Sequence, residues 1–131
     1  MLVEVEKTAE FPWSSLMVQV RTSFGHTAVR WCGAPDIPSG HYHVEWTIDE
    51  EIVWGQNARP ADEASSGLEQ EGHCVIVRGW LKLTVDGAAV LQLGGDQVLL
   101  DVVGSIPIAT DGSWVNLYLQ RENIALHPYE L

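Results

Sequence analysis

The sequence predicts an all-β domain, an antiparallel β-sandwich or small β-barrel of about eight to ten short strands connected largely as a meander. Three observations carry this. Apolar residues alternate with polar ones over short runs, so the side-chain period is two rather than 3.6. Turn-forming pairs such as Asp86-Gly87, Gly94-Gly95 and Asp111-Gly112 punctuate those runs. Val, Leu, Ile, Thr and Trp recur while helix-favouring Lys, Met and Arg are scarce. At 131 residues the chain fits one domain, residues 1–131, with little left for a second core.

In the N-terminal half Leu16, Val18 and Val20 alternate, Ser23 to His26 reads as a turn, and Val29 and Trp31 line one side of a short strand. Pro35 to Gly40 (PDIPSG) is a strong turn signal. Residues 41–48 form the clearest strand, with Tyr42, Val44, Trp46 and Ile48 on one face and His41, His43, Glu45 and Thr47 on the other. Residues 52–56 read as another strand, reached by a hairpin through Asp49 to Glu51. The stretch 59–72 (RPADEASSGLEQEG) lacks strand character, and Pro60 could open the one short helical turn of the chain there.

The C-terminal half reads as successive hairpins. Val75, Val77, Leu81, Leu83 and Val85 share a face, Asp86-Gly87 turns the chain, and Ala89, Leu91 and Leu93 return it. The run Val98 to Val103 is more uniformly apolar and is expected to be central. Gly104 and Pro107 interrupt it, with room for a short strand at Ile106 to Ile108. Val115, Leu117 and Leu119 alternate after Asp111-Gly112, and Asn123 to Leu126 makes a last short strand ended by Pro128.

The charge balance is 7 basic against 18 acidic residues, a net charge of −11. Nucleic-acid binding draws its affinity from basic side chains at phosphates, so it is not expected, nor is docking on an anionic membrane. No apolar stretch is long enough to span a bilayer. The N-terminus, MLVEVEKTAEF, lacks the basic and apolar regions of a secretory signal, and a cytoplasmic location is expected. The two cysteines, Cys32 and Cys74, are then expected to be free and buried.

Four constellations bear on function. His41 and His43 lie two apart on one strand face, about 6–7 Å between Cα atoms, so both imidazoles can approach one metal ion. Preceded by Pro38-Ser39-Gly40, they resemble the metal-binding motif of the cupins, small β-barrels, over fewer than ten residues. That resemblance implies a metal-dependent enzyme. A cupin also needs a well-spaced carboxylate and a later histidine, which here fall in a different order; His26, His73, His127 and Cys74 are the other candidate ligands. The alternative is a solvated polar face opposite a core face.

Nucleophilic catalysis finds no support. There is no Gly-x-Ser-x-Gly elbow or glycine-rich phosphate loop, neither cysteine sits in a nucleophile motif, and no cofactor is expected. Of the six tryptophans, four sort by face, while Trp54 is left undecided. Trp31 and Trp46 fall on core sides. Trp80 falls opposite Leu81 and Leu83, and Trp114 and Tyr118 opposite Val115 and Leu117. In a half-exposed sheet these three aromatics form a wet face suited to an interface, a second copy of the chain, or a sugar-stacking platform. In a sheet covered on both sides, or with a bulge at Gly79, they would be buried instead. Finally, residues 45–71 hold eight acids against Arg59 alone. Asp49, Glu50, Glu51, Asp62, Glu63, Glu69 and Glu71 are the candidate contacts to a basic partner.

The expected role is a non-catalytic protein-interaction module with an acidic surface. In general character it resembles the bacterial immunity proteins that neutralise cationic toxins, a likeness of composition without a shared motif. A small-ligand or carbohydrate binder at Trp80, Trp114 and Tyr118 is the second expectation, and the cupin-like enzyme at His41 and His43 the third.

Overall fold

The structure, a computed structural model, describes residues 1–7, 16–33 and 39–129. Most of the turn expected at Pro35 to Gly40 therefore lies outside the described residues. Among the described residues, twelve strands form one continuous hydrogen-bonded sheet that is folded into a barrel and a second, branched layer.

The barrel uses β1 (Leu2–Lys7), β2 (Met17–Thr22), β3 (Gly25–Trp31), β4 (Gly40–Ile48) and β12 (Ile124–Pro128). β1, β2 and β3 form the expected meander, and β4 returns to the free side of β1. Closure comes from the far end of the chain. β12 runs antiparallel to β4 and parallel to β3, with Leu126 opposite both Trp46 and Trp31. Side chains of one parity fill the interior, among them Val5, Val18, Val20, Val29, Val44 and Leu126, all at most 1 % exposed. Trp31 and Trp46 point inward as their alternation predicts, Trp31 meeting Tyr42 edge-on at 5.1 Å between ring centroids.

β7 (Gly67–Glu71) joins the barrel to the second layer, pairing with β3 through Gly25 opposite Leu68. The central strand there is β8 (Cys74–Leu83), the longest of the fold. One of its edges is covered from Cys74 to Leu81 by β11 (Ser113–Gln120); the other is shared by β7 and then β9 (Ala89–Leu93). The ladder with β11 runs unbroken across Gly79, so no bulge reverses the phase of Trp80. β10 (Asp96–Val102) continues the meander, β6 (Ala58–Pro60) adds to β11, and β5 (Glu51–Ile52) lies parallel to β10. The inner residues Val75, Val77, Leu81, Val115, Leu117 and Leu119 join one buried cluster with those of the barrel.

Several local expectations are corrected. Residues 52–56 do not form a strand hairpinned to β4. Only Glu51 and Ile52 are extended, and Val53–Asn57 turns, with the N–H groups of Gln56 and Asn57 donating to the Val53 carbonyl. The stretch 59–72 holds parts of β6 and β7 rather than a helical turn, because its backbone finds donors and acceptors on β11 and β8. The turns that do occur are 3₁₀ turns, Ile108–Thr110, where a strand was expected, and Arg121–Asn123. β10 is not central. Among the described residues, only two-residue β5 lies beyond it, and Leu99 is left 69 % exposed. Neither cysteine is buried: Cys32 is exposed just beyond β3, and Cys74 sits half-buried on the outward parity of β8.

Candidate binding surface

β8 turns Val75, Val77 and Leu81 inward, so Cys74, Ile76, Arg78, Trp80 and Lys82 project from the opposite side of the sheet. Register then decides what stands beside them. Trp114 lies directly opposite Trp80, Asn116 opposite Arg78, and Tyr118 opposite Ile76. The two indoles meet edge-to-face, with ring centroids 5.6 Å apart and planes at 74°, an arrangement the ring quadrupoles favour. All three aromatics are half-buried, so each offers an accessible part to a partner.

β6 extends the face. Arg59 pairs with Asn116, and its guanidinium carbon sits 5.6 Å from the Tyr118 ring centroid, a cation–π contact. Arg78 is folded down across β7, where a Cβ on Gly67 would lie 2.4 Å from its Nη2. There Nε donates to the Ser65 carbonyl at 2.8 Å and Nη2 pairs with Glu63 at 3.0 Å. Between the two arginines, Asn116 Oδ1 is buried with no hydrogen-bond donor among the described residues.

The acidic residues divide by what they touch. Glu69 and Glu71, opposite Ile76 and Cys74, are exposed along the β7 edge of the aromatic face, and exposed Glu63 reaches the same edge through Arg78. Asp62 is exposed next to Glu63. Asp49 forms an ion pair with Arg30 on the barrel. Glu50 is committed to the fold, since its Oε1 accepts from the Gln120 N–H and Asn123 Nδ2, both at 2.9 Å, and its Oε2 from Asn57 Nδ2 at 3.2 Å. Glu51 is exposed on β5, opposite Asp101.

His41 and His43 are exposed on the outside of the barrel, opposite Glu4 and Leu2. Among the described residues, no three His, Cys, Asp or Glu side chains are grouped as a metal ion would require. His127, a further candidate ligand, has its Nε2 2.9 Å from Thr47 Oγ1. Also among the described residues, no helix is long and apolar enough to cross a membrane.

Sequence alternation had singled out Trp80, Trp114 and Tyr118, and the structure brings them onto one face. It did not reveal that the two tryptophans are direct cross-strand neighbours, nor that Arg59 covers Tyr118. Both depend on register, and a three-residue strand containing Pro60 leaves no periodic signal. No family model matches this sequence, and neither a curated protein nor a solved structure shows significant similarity to it.

Proposed function

We propose that this chain is a non-catalytic protein-binding module that docks a basic protein on the outer face of its second layer. The observation carrying this reading is the accessible Trp80–Trp114 pair, flanked by Tyr118 beneath Arg59. Trp, Tyr and Arg are the side chains most often found at interface hot spots, because they desolvate large areas while keeping a polar handle. Charge complementarity argues for a basic partner: the chain carries −11, and Glu63, Glu69 and Glu71 border the face. Three depressions of about 390, 490 and 530 Å³ open elsewhere, and none of them is lined by Trp80, Trp114 or Tyr118.

The test compares three baits in lysate of the source cell: the native chain, Trp80→Ala/Trp114→Ala, and Glu63→Gln/Glu69→Gln/Glu71→Gln. Support would be a basic protein held by the native chain, released by added salt, and bound at least about 30-fold more weakly by the tryptophan variant, a loss of hot-spot size. Undiminished capture by that variant would overturn the reading. So would binding of a soluble oligosaccharide, or of a second copy of the chain, to the same tryptophans.

A further inference from the structure

The Trp80–Trp114 pair is too small a contact to hold a protein by itself, and the sheet around it limits where the rest of the contact lies. A stable protein–protein interface covers about 800 Å² on each partner, whereas one aromatic side chain buries about 150–250 Å² in all. The footprint therefore spreads over neighbouring strands. On one side the sheet soon runs out: among the described residues β6, three residues long, has β11 as its one strand partner. On the other side β9 and β10 continue the same surface.

Register and parity place the side chains of that surface. Leu91 of β9 stands between Leu81 and Val98, and all three are buried. Val90, Gln92, Gln97, Leu99 and Asp101 therefore project to the outer side, the side of Trp80. They form two cross-strand rows. Gln92 stands opposite Trp80 and Gln97 opposite Gln92; one step along, Val90 stands opposite Lys82 and Leu99 opposite Val90. Val90 is thus the diagonal neighbour of Trp80, within reach of an indole. Trp114, Trp80, Val90 and Leu99 make one apolar stripe over four strands, about 14 Å across. Single exposed leucines are ordinary, but Leu99 ends a continuous stripe and is the most open side chain on it. Asp101 follows two residues beyond Leu99 on the same side, with exposed Glu51 opposite it on β5. Acids therefore stand at the far end of the stripe as well as along the β7 edge.

We propose, resting on the docking reading above, that the basic protein lies along this whole stripe, with Leu99 as a second apolar anchor. Its own apolar contact is then bracketed by basic residues, facing Glu69 and Glu71 at one border and Asp101 and Glu51 at the other. Lys82, next to Val90, repels a cation from the middle of the stripe and so directs basic groups to those two borders.

The test takes the basic protein that the native chain captures, purified, and measures its binding to four immobilised chains. These are the native chain, Trp80→Ala/Trp114→Ala, Leu99→Ser and Leu2→Ser. Leu2 is an exposed leucine on the barrel and controls for a general loss of hydrophobicity. Both leucines are exposed, so both single variants keep the fold, which circular dichroism checks. Leu99→Ser is expected to bind about tenfold more weakly, through faster dissociation, and Leu2→Ser to bind like the native chain. The proposal is overturned if Leu99→Ser loses no more than Leu2→Ser while the tryptophan variant is impaired; the docking face is then confined to β8 and β11, and the reading of it stands. If the native chain captures no basic protein, or the tryptophan variant holds it undiminished, the docking reading itself fails and the longer footprint with it.

Discussion

Replacing Gly25 with alanine tests the junction between barrel and second layer. Gly25 has a φ of +145°, a conformation open almost only to glycine, and a Cβ there would lie 2.0 Å from the Leu68 carbonyl oxygen. The clash is with backbone, and the same two residues form the β3–β7 pairing, with the Leu68 N–H donating to the Phe24 carbonyl at 3.1 Å. Relief therefore requires one layer to move away from the other. Strain at such a φ costs about 1–3 kcal/mol and overpacking a similar amount, which together give about 3–5 kcal/mol. For a domain of this size that corresponds to a melting midpoint lower by roughly 10–20 °C. Chemical and thermal unfolding followed by circular dichroism measure it, with two controls. Gly87→Ala meets no atom within 4 Å but has a φ of +88°, so it isolates the backbone strain. Gly95→Ala has neither problem and is expected to change stability by less than about 0.5 kcal/mol. If Gly25→Ala unfolds like Gly95→Ala, the two layers are not joined as described.

Other perturbations probe other parts of the fold. Glu50→Ala leaves three donors without their carboxylate and is expected to destabilise by about 2–3 kcal/mol, whereas Glu51→Ala, on an exposed side chain, is expected to be near neutral; equal effects in unfolding titrations would contradict the assignment. The Asp86 carboxyl is held below its usual range, first by the Thr84 hydroxyl and then by the N–H groups of Asp86 and Ala88. A lowered folded pKa means that this support of the turn is present at neutral pH and lost as pH falls through the folded value. Thr84→Ala is expected to raise the Asp86 midpoint in a carboxyl NMR titration, and an unchanged midpoint would refute the cause given. Acrylamide is expected to quench a smaller fraction of tryptophan emission in Trp80→Phe/Trp114→Phe than in the native chain, because Trp31 and Trp46 are buried; an unchanged fraction would mean that the outer face is covered.

Much of the fold was legible where both strand faces announce themselves. Trp46 and Val44 against His43 and Glu45, or Val75 and Val77 against Ile76 and Arg78, give a period of two that places each residue inside or outside without knowledge of its neighbours. Pairing is a different matter. That β12 closes the barrel between β3 and β4 depends on contacts across most of the chain, which no local pattern encodes. β5 and β6, with two and three residues, exist because β10 and β11 supply partners, so the 59–72 stretch looked like a loop. The more uniformly apolar run at 98–103 misled for a related reason: Leu99, in a strand with little beyond it, and Val103, just past that strand's end, are exposed large hydrophobics.

The placement of charge separates two aspects of recognition on the aromatic face. Of seven basic residues, Arg59, Arg78 and Lys82 project from this face, although the chain as a whole is strongly acidic. On the proposed reading, a basic partner would be attracted at long range by the acid excess, but at contact it would meet indoles, a phenol and several guanidinium and ammonium groups. Two of those cations are already engaged, Arg78 by Glu63 and Arg59 over Tyr118, which lessens their repulsion of a basic partner. Exposed Glu69 and Glu71 at the edge would act mainly on such an encounter, where salt screens them. In the proposed complex the tryptophans would act after water has left the interface, where desolvated area governs dissociation. Neutralising the glutamates should therefore lower the association rate and flatten its salt dependence, while truncating Trp80 and Trp114 should chiefly raise the dissociation rate. If the two sets of substitutions changed the same rate constant, the acidic edge and the aromatic centre would have to be treated as a single contact.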